Sequence, residues 1–439
     1  MLKNTFTKKN ENYNWDCIII TVRNNKQRAY AKKQLKIRRK IGFIPEETKC
    51  IVKTVNKRLG TGKILLNNLY KIFNKKEYKK ILYIPSAGNS KRTLYYSRIG
   101  KIWIPINKRL SGDIEETIFD QILINTFPIL KKMNDGILVS CSDVVLFLKE
   151  DINEIDNSKI YFFSTKELVK KGTKHGVFKI QEDRLIKYFQ KASKNILEKE
   201  ALTNEKKVYI DTGMFILPQK ILNYLYENIQ EKSADIYNDL VPFLVDNKKD
   251  DIKVIKLNNG KFVHFGSNKD ILEIKSDRDN YFKRLGWNQN TRCLIKDNSY
   301  IENSLYIGKL NNNIIVDSCI KQKVPKNTLI YTVKLNRKKW VSIILGIEDD
   351  IKYKGKNLKI FNKEIYLKKK IKKETSLWDL KLFKPANSKE KASELAIELY
   401  YQIQKGEIIN NRKLKSIREI LKKGKYCNEW NIYKYANKN

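Results

Sequence analysis

Ile81-Leu82-Tyr83-Ile84-Pro85 runs straight into Ser86-Ala87-Gly88-Asn89-Ser90-Lys91-Arg92. The first five residues carry no charge and are mostly large and apolar, as in a strand buried on both faces of a parallel sheet. The small, Gly-containing turn that follows brings Lys91 and Arg92 to the strand's carboxyl end, and Gly100-Lys101 follows within nine residues of Arg92. Similar strands stand on either side. WDCIIITV (15–22) precedes the polar helical stretch RNNKQRAYAKKQLKIRRK, and CIVKTV (50–55) leads through RLGTGK (58–63) into the apolar-periodic ILLNNLYKIFNKK. A helix is expected from about Ser111 to Lys132, with Ile114, Ile118, Ile122 and Leu130 on its apolar side, running into the strand GILVSCSD (136–143). This β-loop-α succession predicts an α/β fold with a mainly parallel sheet and helices on both faces. Ligands of such sheets sit beyond the carboxyl ends of the strands, where the Gly-containing loops and Asp143 fall.

The pattern changes after about Phe265. CLI, SYIENSLYIG, NNNIIVDSCI, TLIYTV and VSIIL follow between Cys293 and Leu345, separated by Asn, Asp and Gly with no long helix between them. Short strands without crossover helices predict stacked coils of a β-helix. From about Ser376 the i, i+3, i+4 apolar spacing returns in KASELAIELYYQIQKGE and NRKLKSIREILKKGK, which predicts a small terminal helical segment. The expected domains are therefore 1–275, 276–375 and 376–439.

Composition narrows the chemistry. The 439 residues include 90 Lys+Arg against 48 Asp+Glu, a formal charge of +42, with 41% hydrophobic residues. That apolar share supports packed cores, and no run reaches the roughly 18–20 apolar residues of a membrane span. No secretory leader is evident at the N-terminus, so a cytoplasmic location is expected. The six cysteines form no CxxC pair, and with only His175 and His264 a multi-histidine metal site is excluded. The charge invites a nucleic-acid reading, but basic residues are spread over the whole length. Abundant Lys, Asn and Ile together are what AT-rich codons supply, and a basic surface also steers anionic substrates.

Four constellations carry candidate chemistry. Gly60-Thr61-Gly62-Lys63, before a helix, suits close approach to a phosphate, although the GxxxxGK[ST] spacing is absent. Lys91, Arg92 and Lys101, beyond the turn at Gly88, are placed to meet phosphates and offset charge on a transferring phosphoryl group, or form a basic surface loop. Asp143 closes an apolar strand and is a candidate Mg²⁺ ligand or a helix or turn cap. Lys174-His175-Gly176, Asp211-Thr212-Gly213 and Val263-His264-Phe265-Gly266 set polar groups beside glycines, as hydroxyl recognition of a sugar requires. Each triplet alone also reads as an ordinary turn.

Taken in order, RLGTGK, SAGNSKR…GK, ILVSCSDV, GTKHGVF, YIDTGMFIL, FVHFGSNKDIL, SYIENSLYIG and SLWDLKLF resemble the guanylyltransferase part of fucose-1-phosphate guanylyltransferases, over roughly residues 15–400. The resemblance implies a Rossmann-like nucleotidyltransferase domain with a mixed, mainly parallel sheet and a β-helical domain behind it. It implies GTP and β-L-fucose 1-phosphate as substrates, with GDP-fucose and pyrophosphate as products and Mg²⁺ as cofactor. On the matching positions, Gly60, Thr61, Gly62, Lys63 and Gly88 would line the nucleotide. Lys91, Arg92 and Lys101 would hold phosphates, Asp143 the metal, and His175, Gly176, Asp211, Gly213 and His264 would lie near the sugar. This chain departs from the family's usual glycines at Lys63, Asn89 and Ser142. No sugar-kinase segment follows the terminal helices, so a separate kinase is the expected source of sugar phosphate. The alternatives are another sugar or base, or a basic nucleic-acid-binding protein on an inactive core.

Overall fold

The computed structural model describes residues 14–55, 59–73, 78–88, 92–111, 114–147, 152, 155–229, 233–248, 251–257, 261–276, 293–302, 304–355, 357–368 and 375–424. The chain divides into two compact units. One comprises Met1–Asn89, Ile99–Trp103 and Thr117–His264; the other comprises Ser90–Arg98, Ile104–Glu116 and Phe265–Asn439.

The chain order through His264 is β1 (Cys17–Val22), α1 (Asn25–Lys40), β2 (Lys49–Thr54), α2 (Gly60–Phe73), β3 (Lys80–Pro85), β4 (Pro105–Ser111), β5 (Ile114–Thr117), α3 (Ile118–Lys132), β6 (Gly136–Val139), β7 (Val144–Phe147), β8 (Ile160–Leu168), α4 (Val169–Gly172), β9 (Gly176–Gln181), β10 (Arg184–Gln190), α5 (Lys194–Glu200), β11 (Lys207–Leu217), α6 (Ile221–Asn228), α7 (Val241–Asn247), β12 (Ile252–Leu257) and β13 (Lys261–His264). The nine-stranded sheet of the first unit has the order β2-β1-β3-β6-β11-β8-β12-β10-β9. Its first four strands are parallel, with Cys17 opposite both Lys49 and Ile81, and Lys80 opposite Gly136. Every residue of β1 is buried, which is why that strand reads as one apolar run.

The parallel predominance stops at β6. β11 runs antiparallel to β6 and β8, β10 antiparallel to β9 and β12, and only β8–β12 is parallel in this half. For β9 and β10 the reason is local: they are joined by the tight turn Glu182–Asp183, with Glu182 at φ 57°, and a two-residue hairpin forces antiparallel pairing.

The helix expected from Ser111 starts at Ile118 instead. Thr117 caps it, exchanging hydrogen bonds with Asp120 in a capping box, while 114–117 stay extended as β5. The charged α1 is held to α3 by a fully buried pair, in which Arg38 donates to both carboxylate oxygens of Asp120 at 2.6 Å. Losing one member of such a pair costs about 3–5 kcal/mol, because the other is left buried and uncompensated.

In the second unit α8 (Asn268–Lys275) precedes β14 (Cys293–Lys296), β15 (Ser299–Glu302), β16 (Leu305–Tyr306), β17 (Ile314–Val316), β18 (Cys319–Ile320), β19 (Thr328–Lys334) and β20 (Trp340–Gly346). β15, β17 and β19 are parallel neighbours. Tyr300 faces Ile314 and Ile314 faces Leu329, steps of 314 − 300 = 14 and 329 − 314 = 15 residues. β16 and β18 repeat the step, Leu305 facing Cys319. The buried Asn313 side chain, just before β17, donates to the Pro325 carbonyl at 2.7 Å, an acceptor it shares with the Thr328 hydroxyl. β21 (Lys359–Ile360), β22 (Lys363–Glu364), β23 (Lys381–Phe383), α9 (Lys389–Gln404), β24 (Lys415–Ser416) and α10 (Ile417–Lys423) complete the unit. Among the described residues no helix is long and apolar enough to cross a membrane.

Candidate active site

β6 ends at Val139, and the chain runs on through Ser140-Cys141-Ser142-Asp143 before β7 begins. β7 pairs antiparallel with β13, setting Val144 opposite His264 and so bringing the histidine beside Asp143. Lys101 arrives on a short 3₁₀ turn, Lys101–Trp103, whose Ile102 and Trp103 are buried and so fix the lysine's direction. Its Nζ donates to Asp143 Oδ2 at 2.7 Å, and His264 Nε2 lies 3.7 Å from the same oxygen. The Lys101 and Asp143 side chains are 11% and 24% exposed. Burial by itself would raise the Asp143 carboxyl, but the Lys101 ammonium and the neighbouring His264 outweigh it and hold the group ionised, well below the usual carboxylate range.

The sugar candidates adjoin this pair. The rings of His175 and His264 meet edge to face at 5.4 Å, and His175 packs on Phe262 at 5.2 Å. Burial, then the neighbouring His264 and Lys171, lower His175 to about 4, so it is a neutral hydrogen-bonding group at physiological pH. A side chain at Gly176 would strike the Tyr188 hydroxyl at 2.5 Å, so the glycine is what lets Tyr188 lie against β9. Asp211 is 6% exposed and burial raises it to about 7; the Gly213 N–H, which donates to its Oδ1 at 2.7 Å, and Tyr188 partly offset the rise.

β11 shifts register between Asp211 and Phe215, and Gly213 takes φ +73° in that bulge. A Cβ there would sit 2.3 Å from Cys141 Sγ and 2.8 Å from the Tyr237 hydroxyl. Cys141 Sγ and the Tyr237 hydroxyl are 2.7 Å apart. Burial pushes the Cys141 thiol far up, so it is not a thiolate nucleophile. Cys141, Tyr188 and Tyr237 therefore surround the Asp211–Gly213 turn, although nothing in their local sequence distinguishes them. Tyr237 reaches Cys141 across 96 positions of chain.

The Gly60–Lys63 stretch is not a loop before a helix but the first turn of α2. Its donors have partners within the protein. The Gly62 and Lys63 N–H groups donate to the Ala234 carbonyl at 2.8 and 3.1 Å, and Lys63 Nζ donates to the Ile229 carbonyl at 2.5 Å. The Thr61 hydroxyl donates to Asp235 Oδ2 at 2.8 Å. The glycines thus serve close packing: a Cβ at Gly60 would lie 2.3 Å from the Ala234 carbonyl oxygen. Two of the amides in this stretch, those of Gly62 and Lys63, are thus engaged within the protein. Gly88 is exposed, with nothing within 4 Å of a built Cβ, and Arg92 is exposed in the second unit. Lys91 lies outside the described residues.

Among the described residues no group of three or more His, Cys, Asp and Glu gathers as a metal cage. The donor set fits Mg²⁺ only in the manner of nucleotide enzymes, through one carboxylate with substrate phosphates and water completing the shell. Asp143 offers that carboxylate, since its two contacts among the described residues both fall on Oδ2.

Residues 74–251 match the family described as the fucose pyrophosphorylase domain. A pyrophosphorylase is a nucleotidyltransferase, so the enzyme class comes with the family. The matched fucose pyrophosphorylase segment contains Gly88, Arg92, Lys101, Asp143, His175, Gly176, Asp211 and Gly213, while Gly60–Lys63 precede it and His264 follows it.

Two solved structures align with the chain at a TM-score of 0.27. The inositol-1-phosphate CTP transferase from T. maritima is 16% identical, over 58% of this chain and 91% of that one. A Bacillus anthracis protein assigned as a glucose-1-phosphate thymidylyltransferase, solved in complex with a sucrose, is 14% identical over 58% and 92%. No curated protein matches the chain by sequence.

Proposed function

We propose that the protein is a sugar-1-phosphate guanylyltransferase that converts GTP and L-fucose 1-phosphate to GDP-L-fucose and pyrophosphate. The observation that carries this reading is the Lys101–Asp143–His264 constellation, beside the Asp211, His175 and Tyr188 polar groups and largely within a fucose pyrophosphorylase domain. A phosphate oxygen of the sugar phosphate attacks the nucleotide α-phosphorus in line. The new P–O bond forms as the bond to the β-phosphate bridging oxygen breaks, and the electron pair leaves with pyrophosphate. Such a transfer needs positioning and charge stabilisation rather than a nucleophile on the enzyme, and the protonated Cys141 fits that requirement.

Lys101 supplies a compact cation to the α-phosphate oxygens, and Asp143 holds it in place. Mg²⁺, bound at Asp143, would neutralise phosphate charge. Arg92 and Lys91 meet the remaining phosphates. Gly88 borders the nucleotide, and Gly60–Lys63 shape its surroundings through packing. Asp211, protonated up to about pH 7, and neutral His175 offer hydrogen bonds to sugar hydroxyls, with His264, Gly176 and Gly213 beside them. The reading keeps a β-helical domain over 276–375, supported by the parallel β15–β17–β19 ladder, and a helical segment over 376–439. It also keeps a cytoplasmic setting.

Pyrophosphate release from a panel of nucleotides and sugar 1-phosphates, with and without Mg²⁺, tests it. GTP with fucose 1-phosphate is expected to react fastest. Turnover with another pair only would reassign the substrate, and a folded protein inert to the whole panel would sink the catalytic reading.

A further inference from the structure

Between Arg92 and Lys101 the chain is anchored more deeply than a surface loop needs. Thr93, Leu94, Tyr95 and Tyr96, in the second unit, are each 0% exposed. Three side chains of that unit grip them. Asn268 Oδ1 accepts the Leu94 N–H at 3.3 Å. Glu302 Oε2 accepts the Tyr96 hydroxyl at 3.3 Å and the Tyr300 hydroxyl at 2.6 Å. Lys275 Nζ donates to the Tyr300 hydroxyl at 3.2 Å and lies over the rings of Tyr96 and Tyr300, 5.7 and 4.8 Å from their centroids.

Lys275 and Glu302 are only 2% and 7% exposed. Apolar residues of similar volume would fill the space at less cost, because an ammonium and a carboxylate both lose water here. What a hydrogen-bonded cluster adds is direction: its donors and acceptors are satisfied in one arrangement. The residue that gains from a fixed direction is Arg92, exposed and bonded through its carbonyl to the buried Thr93. A guanidinium that meets phosphate in two parallel hydrogen bonds loses much of its advantage if its backbone swings.

We propose that Asn268, Lys275, Tyr300 and Glu302 are positioning residues that lock Thr93–Tyr96 and so present Arg92 in one orientation to a phosphate-bearing substrate. The proposal rests on the reading of Arg92 as a phosphate-binding cation. Tyr96→Phe is the mildest probe, since it removes one hydroxyl and keeps the ring beneath Lys275; Glu302→Gln is the second. Each is made in the wild-type and Arg92→Ala backgrounds, and GTP affinity by calorimetry, kcat, KM and melting temperature are measured.

In the wild-type background Tyr96→Phe is expected to weaken GTP binding and raise KM about 3–10-fold, with kcat within about twofold, as for a group that orients rather than reacts. In the Arg92→Ala background the same substitution should change both by less than about 1.5-fold, while its melting shift is the same in each. Equal losses in the two backgrounds would mean a merely structural cluster and overturn the proposal. Wild-type GTP affinity and KM in folded Tyr96→Phe would overturn it too. An Arg92→Ala protein that matches wild type would instead remove the reading of Arg92, and the proposal with it.

Discussion

Replacing Asp143 by Asn separates a structural ion pair from a catalytic one. At 2.7 Å and an effective dielectric of about 20, the Lys101–Asp143 attraction is about 6 kcal/mol before desolvation is charged against it. Both side chains have lost most of their water, so most of that attraction is offset. Asn keeps the shape but takes the Asp143 charge away from the Lys101 ammonium, which is 11% exposed. The fully buried case costs about 3–5 kcal/mol, and Asp143 keeps a quarter of its exposure, so a loss of about 1–2 kcal/mol is expected.

That loss would lower the melting temperature by several degrees. Turnover should fall much further, about 10²–10³-fold, the scale for removing one preorganised electrostatic group at a transferring centre. The stability effect should also depend on pH. Because Asp143 titrates lower folded than unfolded, its contribution is complete above the unfolded value near 4 and disappears as acid protonates the folded carboxylate. The melting gap between wild type and Asp143→Asn should therefore begin to narrow as the pH falls below about 4. Melting scans from pH 3 to 8, paired with pyrophosphate-release kinetics at neutral pH, read both quantities. Turnover within twofold of wild type in Asp143→Asn would refute the catalytic assignment, and a melting gap independent of pH would refute the ion-pair account.

Asp211→Asn should raise stability at pH 8: folded Asp211 holds its proton to about pH 7 whereas the unfolded group loses it near 4, so wild-type stability falls across that window, by on the order of 1 kcal/mol or more. Equal melting temperatures of the two proteins at pH 4 and pH 8 would contradict this. Gly213→Ala should destabilise by about 2 kcal/mol or more, through φ +73° and the clash with Cys141, and Cys141→Ala in the same chain should recover part of it; simple additivity in denaturant melts would count against the packing seen here. Lys63→Met should cost about 1 kcal/mol of stability by losing the bond to the Ile229 carbonyl while leaving the nucleotide KM nearly unchanged; a large KM rise would show that Lys63 meets the nucleotide. If the +42 charge is diffuse, labelled duplex DNA should bind weakly, without base preference and with steep salt dependence, whereas tight base-selective binding would favour the nucleic-acid alternative.

The parallel half of the sheet was legible because a strand buried on both faces must be apolar throughout, and CIIITV and KILYIP are nearly so. Asp143 was legible for the converse reason: a carboxylate ending such a run stands at the sheet's carboxyl edge. The start of α3 was misplaced because Ile114 fits both the helical spacing and the β5 strand, and it is the Thr117–Asp120 capping box that ends the ambiguity.

Sequence alone thus determined the strand-loop-helix order and the chemistry available at the strand ends, since both depend on near neighbours in the chain. Only tertiary structure decided what those groups meet. Thr61 bonds Asp235 across 174 positions, and Lys101 finds Asp143 across 42. It is the β11 bulge at Gly213 that leaves room for the Cys141–Tyr237 contact. Local propensity carries no information about such partners. They are selected when the sheet closes, because a buried donor or charge left unpaired would cost more than the fold's narrow margin of stability allows.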